Sequence, residues 1–290
     1  MFLVVPAVAA GRSPAYVADY EGSSILKLGR HGGVHPIASG APLVGPSGIT
    51  VGRNGVLYVS DDGAKGGGAI FRVNPDNHRV KTIASVNGGA PLDFPFDLIQ
   101  QRSGKLLVAD ANAGPGGAGA VLSVNPENGH VRTVVEGPPL DDTYGVSLLN
   151  GKLYVTNDTA AGGAVLRVNP RNGHLHTVAG GPPFVGPTGL GSRTGKLVVT
   201  DYAAGPSLTG AVFRVNPGNG NVATIAKGPR VDETYSASVK PSGIALVSRS
   251  NNQMNTPAIL AVGPARGDVS NIHLGPPLVD PFGVAVAGGG

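Results

Sequence analysis

The sequence contains no cysteine. That absence excludes a disulfide framework, a thiol nucleophile and a thiolate metal site. Charged residues make up 14% of the chain and aromatics 5%. The net charge is +4, yet no run of lysine and arginine occurs and no aromatics alternate with basic residues. A nucleic-acid platform needs both features, so nucleic acid is not expected as a partner. No apolar stretch is long enough to span a membrane. No segment carries a convincing 3.6-residue apolar period, which argues against helices. Catalytic signatures are missing too. No serine sits in a G-x-S-x-G context, and no histidine pair has zinc-motif spacing. The run Gly66-Gly67-Gly68 precedes a strand-like segment, so it lacks the helix N-terminus that phosphate loops use.

Glycine and proline are abundant, 47 and 25 of 290 residues, and they recur at regular intervals. Residues 181–226 show one full unit. Four apolar runs of strand length, Thr188 to Gly191, Lys196 to Thr200, Ala211 to Val215 and Val222 to Ala226, alternate with turn signals. Between the last two lies Asn216-Pro217-Gly218-Asn219-Gly220, where proline fixes φ and Asn and Gly tolerate positive φ. Its proline recurs at Pro75, Pro126 and Pro170, each after Asn, and more weakly at Pro264. The gaps are 51, 44, 47 and 47 residues. Four strands every ~40–50 residues is the period of a β-propeller blade.

Five complete units run over 40–87, 88–136, 137–180, 181–227 and 228–274. Residues 275–290 begin a sixth and stop after its first strand, while residues 15–39 supply the other three. The expectation is an all-β, six-bladed β-propeller of four-stranded antiparallel blades, one domain over 15–290. The C-terminal strand joins the three N-terminal strands and closes the ring without exposed edges. Residues 1–14 read as an N-terminal tail. Its apolar start, Phe2 to Ala10 with small residues at Ala7 and Ala9, resembles the end of an export signal and points to an extracellular or periplasmic address. Lys81, Arg132, His176 and Ser270 fall at matching positions of the outermost strand, where charge discourages edge pairing.

In such a meander, the links between units and the loops after the second strands share one face. The Asn-Pro turns lie on the other. Two columns meet at the first face. Asp19, Asp61, Asp110, Asn157, Asp201 and Arg249 end the second strands; Gly48, Asp97, Gly145, Gly189, Ser236 and Gly283 begin the first. The first column is either a hard-cation ring or a set of carboxylates that cap loops through backbone N–H groups. Departures from the repeat mark candidate ligand residues at the channel mouth: Asp97, Arg249, Tyr144 and Tyr235. Arg249 either holds an anionic ligand or makes a structural ion pair.

The pattern P-x-G-I/L/V … G-x-L-Y-V-x-D … V-x-R-V-N-P resembles NHL-repeat propellers and the related gluconolactonase-like superfamily. Pro46-Ser47-Gly48-Ile49 followed by Gly55 to Asp61 carries it most clearly. The NHL resemblance implies a platform for a small ligand or protein partner at the channel mouth. The gluconolactonase-like resemblance implies a calcium-dependent lactone or ester hydrolase, with Asp97, Asp110, Asn157 and Asp201 as metal candidates. The Glu and the Pro-Asn-Asp segment of that enzyme pattern are absent, and Pro95-Phe96-Asp97 comes nearest. The leading expectation is therefore a binding propeller with no cofactor. The calcium hydrolase is the alternative, with a metal-free enzyme and a repeat scaffold in an extracellular assembly behind it.

Overall fold

A computed structural model describes residues 13–29, 32–64, 66–250, 256–264 and 267–288. The export-like stretch lies outside the described residues. Six four-stranded antiparallel sheets form six blades. Blade 1 combines Pro281–Val286 with Ala15–Asp19, Ser24–Leu28 and Val34–Ser39. Blades 2 to 6 begin with the inner strands Pro46–Val51, Pro95–Gln100, Asp142–Leu149, Pro187–Arg193 and Thr234–Val239. Ring closure is antiparallel, with Val17 opposite Val284 and Ala15 opposite Val286. The backbone bonds of one blade thus tie the two ends of the chain together.

The unit at 181–226 folds as read, with strands Pro187–Arg193, Lys196–Asp201, Ala211–Val215 and Val222–Lys227. The Asn-Pro turns work through their asparagine side chains. The Oδ1 atoms of Asn74, Asn125, Asn169 and Asn216 accept from the backbone N–H two residues on, at 2.8, 3.1, 3.0 and 3.2 Å. This local bond replaces a ladder bond and turns the chain. In every blade the pairing of the third and fourth strands slips at one place, as between Ile70 and Phe71 or Val212 and Phe213. Such a bulge bends the outer strand and adds twist.

The core lies between blades. The second and third strands are buried almost throughout, as at Leu106–Asp110 and Ala120–Val124. Leu57, Val59 and Phe71 of blade 2 pack with Ile25 and Tyr16 of blade 1. Leu197, Val199 and Phe213 of blade 5 pack with Tyr154 and Val165 of blade 4. Each sheet therefore buries its faces against its neighbours, as propeller geometry requires. The outermost strands, such as Val131–Glu136, stay half exposed.

Candidate functional site

The residues ending the second strands act as latches on the links. Asp61 accepts from the backbone N–H groups of Val44 at 2.9 Å and Gly45 at 3.0 Å. Asp110 does the same for Asp93 and Phe94, and also takes Asn112 and Ala113 at 3.2 and 3.0 Å. Asp201 accepts from Val185, Gly186 and Ala203. Asp19 holds Val279 and Asp280 across the ring closure. Asn157 uses both ends of its amide: Oδ1 accepts from Asp141 N–H at 2.9 Å, and Nδ2 donates to the Pro139 carbonyl at 3.1 Å. Arg249 reverses the polarity. It is buried and donates to the carbonyls of Thr256 at 2.7 Å and Arg230 at 3.3 Å. These side chains hold the links in place by the loop-capping bonds open to Asp and Asn.

Calcium does not fit this donor set. The backbone N–H groups point protons at the carboxyl oxygens a cation would need. Among the described residues no group of three or more His, Asp or Glu is placed to hold an ion. Asp97, Asp110, Asn157 and Asp201 therefore do not come together as a metal centre.

The column that begins the first strands is glycine where neighbouring inner strands touch. A Cβ at Gly48 would stand 2.5 Å from the Phe96 carbonyl oxygen of the next blade, and one at Gly145 would stand 2.4 Å from that of Thr188. A column that sequence reading missed completes this contact. Ser60 Oγ accepts from Gly48 N–H at 3.0 Å and donates to the Phe96 carbonyl at 3.1 Å. Thr156 links Gly145 N–H to the Thr188 carbonyl, both at 2.7 Å. Blade 3 has Ala109 at this place, paired with Asp97. There Asp97 supplies the bridge itself. It accepts from its neighbour Leu98 N–H at 2.8 Å and from Val146 N–H of blade 4 at 3.1 Å. The sequence carries part of this signal: two members of the hydroxyl column are alanine, Ala18 and Ala109, and the aspartate faces the second of them while Gly283 faces the first.

Over the axis on the link face, aromatics from five blades meet. Tyr235 and Phe282 stack at 4.5 Å and 7°. Phe96 lies edge-on to Tyr144 at 4.9 Å and reaches Tyr235, on the opposite side of the ring, at 6.3 Å. Tyr20 stacks on Phe282 at 4.7 Å, and Tyr202 on Tyr235 at 6.3 Å. The expected mouth is thus closed by an aromatic plate. Phe96 is buried, while Tyr20, Tyr144, Tyr202, Tyr235 and Phe282 keep partial exposure. Asp62, Asp142, Asp158, Glu233 and Asp280 collar the plate, each near enough to raise the hydroxyl pKa of one or more of its tyrosines. Tyr235 donates to Glu233 Oε2 at 2.6 Å, and burial, then Glu233, pushes its hydroxyl pKa up.

Burial pushes Asp62 up to about 7 and Asp158 to about 6, the latter with added repulsion from Asp142. Asp97, enclosed by the ring, is likewise pushed by burial up to about 7. All three lie above the ordinary carboxylate value, so the folded state keeps their protons after the unfolded chain has lost them. The stability they lend is complete below the unfolded pKa and is lost as pH rises through the folded one. The melting temperature should therefore fall between about pH 4 and about pH 7, less steeply in Asp97→Asn. A slope that is unchanged in Asp97→Asn would rule out a contribution from Asp97.

Below the plate the axis is open. A cavity of about 480 Å³ is lined by inner strands of all six blades, with Asp97, Thr50, Gln100 and Ser238 among its polar residues. It opens at Arg53 and Gly288, on the face of the Asn-Pro turns. The sequence expectation had placed the mouth on the opposite face.

No protein-family model matches the chain, and no curated protein matches it. Solved structures do. A chain from the crystal structure of a nidogen/laminin complex superposes with a TM-score of 0.74 at 12% identity, over 95% of this chain and 98% of that one. TolB from Acinetobacter baumannii gives 0.70 at 15% identity, over 95% of this chain and 66% of TolB. At these identities the likeness is one of fold. It places the chain among the β-propellers.

Proposed function

We infer that the protein is a binding propeller that captures a basic segment of a partner protein on the aromatic plate. The observation that carries this reading is the partly exposed Tyr235–Phe282 stack, 4.5 Å between centroids, inside a collar of carboxylates. Aromatic faces attract arginine and lysine, and a surrounding carboxylate collar adds long-range attraction and selects against acidic partners. Tyr144 and Tyr235 belong to this surface. Asp97 and Arg249 support it through the scaffold. A protein partner is also in keeping with a fold neighbour drawn from a protein–protein complex, although fold alone does not assign function. An extracellular or periplasmic address belongs to the same reading, on the strength of the export-like Phe2 to Ala10 stretch.

The test compares an arginine-rich and a glutamate-rich peptide by surface plasmon resonance. The arginine-rich peptide should bind and the other should not. Tyr235→Ala should weaken binding by about 2 kcal/mol, the scale of an aromatic hot spot. Glu233→Gln, which keeps the packing, should weaken it less and reduce its salt dependence. Equal binding of both peptides, or no change in either variant, would overturn the reading.

A further inference from the structure

The open end of the channel has a different chemistry from the plate. Five hairpins join first to second strands there. They and their flanking residues carry Arg53, Arg102, Lys105, Lys152, Arg193, Lys196 and Lys240, and no acidic residue. Sequence reading saw no basic patch, because these residues are scattered over nearly 190 positions. The ring brings these hairpins to one face, and of their basic residues Arg53 lines the axial cavity while Arg193 bonds to Gly288 in its lining.

Two guanidinium groups are held at the rim by backbone carbonyls. Arg53 Nη2 donates to Gln101 at 3.2 Å, from blade 2 to blade 3. Arg193 Nη1 donates to Gly288 at 3.1 Å, from blade 5 past blade 6 to the end of blade 1. Each bond uses one of five N–H donors, so both groups are oriented and still able to donate. Behind them the cavity runs along the inner strands of all six blades. Its wall offers hydroxyl groups from Thr50, Ser236 and Ser238, with Asp97 at depth; the Gln100 amide is engaged at both ends, by Arg53 N–H and the Gly104 carbonyl. Ser236 and Ser238 accept from Val284 and Val286 N–H groups, which leaves their own protons to donate. The volume of about 480 Å³ suits a small molecule.

We propose that this axial channel is a second binding site, for a small hydroxyl-bearing organic anion whose acid group rests on Arg53 and Arg193 at the rim. The hydroxyl groups point inward to Asp97 and the serines. The basic rim concentrates anions at the mouth, and the polar wall separates a hydroxylated anion from a bare one. The acid group is a phosphate or a carboxylate, which share this chemistry. The site lies at the other end of the axis from the proposed partner surface, so either stands or falls alone.

The test is calorimetric titration of the full chain with glycerol 3-phosphate, inorganic phosphate and glycerol. Glycerol 3-phosphate should bind saturably and more tightly than phosphate, and glycerol should not bind. The double variant Arg53→Gln, Arg193→Gln should lose about tenfold or more, as expected for charge-assisted bonds. Thr50→Phe, which fills the lumen and leaves the rim intact, should abolish binding while melting with a single transition. A double variant that binds as the parent does overturns the proposal. Loss in the rim variant with full binding in Thr50→Phe places the anion on the surface and overturns the channel site. Equal affinity for phosphate and glycerol 3-phosphate removes the role of the wall, and an absence of saturable binding overturns the whole.

Discussion

Asp201→Ala should destabilise the protein by about 3–6 kcal/mol, measured as the change in urea unfolding free energy. Asp201 is fully buried and accepts from Val185 N–H at 2.9 Å, Gly186 N–H at 3.0 Å and Ala203 N–H at 3.1 Å. Alanine would leave three N–H groups without acceptors, each costing about 1–3 kcal/mol if it stays buried. The charge is not the source of this stability. Burial raises the Asp201 pKa despite the three donors, so the carboxyl is held for its acceptor geometry. Asparagine should be a poor substitute, because its NH2 would face the Val185 or Gly186 N–H. Blade 4 makes the point in reverse: Asn157 stands where one side offers the Pro139 carbonyl, so Asn157→Asp should destabilise as well. A loss below about 1 kcal/mol in Asp201→Ala would mean that the link rearranges and the latch is dispensable.

Much of this fold was legible because its signals are local and repeated. An Asn-Pro turn and four strand-length runs recur in each unit, so blade number and ring closure follow from counting. The latch column was legible for the same reason, and loop capping was already one of its two readings. What could not be read depends on distances across the axis. Phe96, Tyr144, Tyr235 and Phe282 occupy one repeat position in four blades, yet only the ring diameter decides that their rings meet and seal the link face. The basic rim is hidden in the same way. Arg53 and Arg193 are unremarked turn residues until ring closure places Gly288 between them and makes a mouth. Asp97 was singled out for breaking the glycine column. Its bond to Val146 shows a structural cause, a bridge that replaces the hydroxyl missing at Ala109.

The glycine column itself supports the second large effect. Gly189→Ala should cost about 3 kcal/mol or more. An added Cβ would lie 2.5 Å from Thr200 Oγ1, 2.6 Å from Ser236 Cα and 2.7 Å from the Tyr235 carbonyl oxygen. A flexible side-chain tip could move aside, but two of these atoms are backbone of the next inner strand. The Thr200 hydroxyl is also fixed, since it accepts from Gly189 N–H at 2.9 Å. Relief therefore requires blades 5 and 6 to part. In an open stack such a wedge could be absorbed by tilting the outer repeats. Here the ring is closed by the Ala15–Asp19 pairing with Pro281–Val286, so the strain spreads to every other interface or breaks the closure. Gly218→Ala is the matched control, because its nearest atom, Asn216 Oδ1, would be 3.5 Å away. That variant should be neutral, or stabilising by about 0.4–1 kcal/mol through loss of freedom in the unfolded chain. Thermal and urea unfolding of the two variants separate the arguments. If Gly189→Ala melts with Gly218→Ala, the inner strands have room to spare, and the close backbone contact does not set the ring diameter that seals the link face.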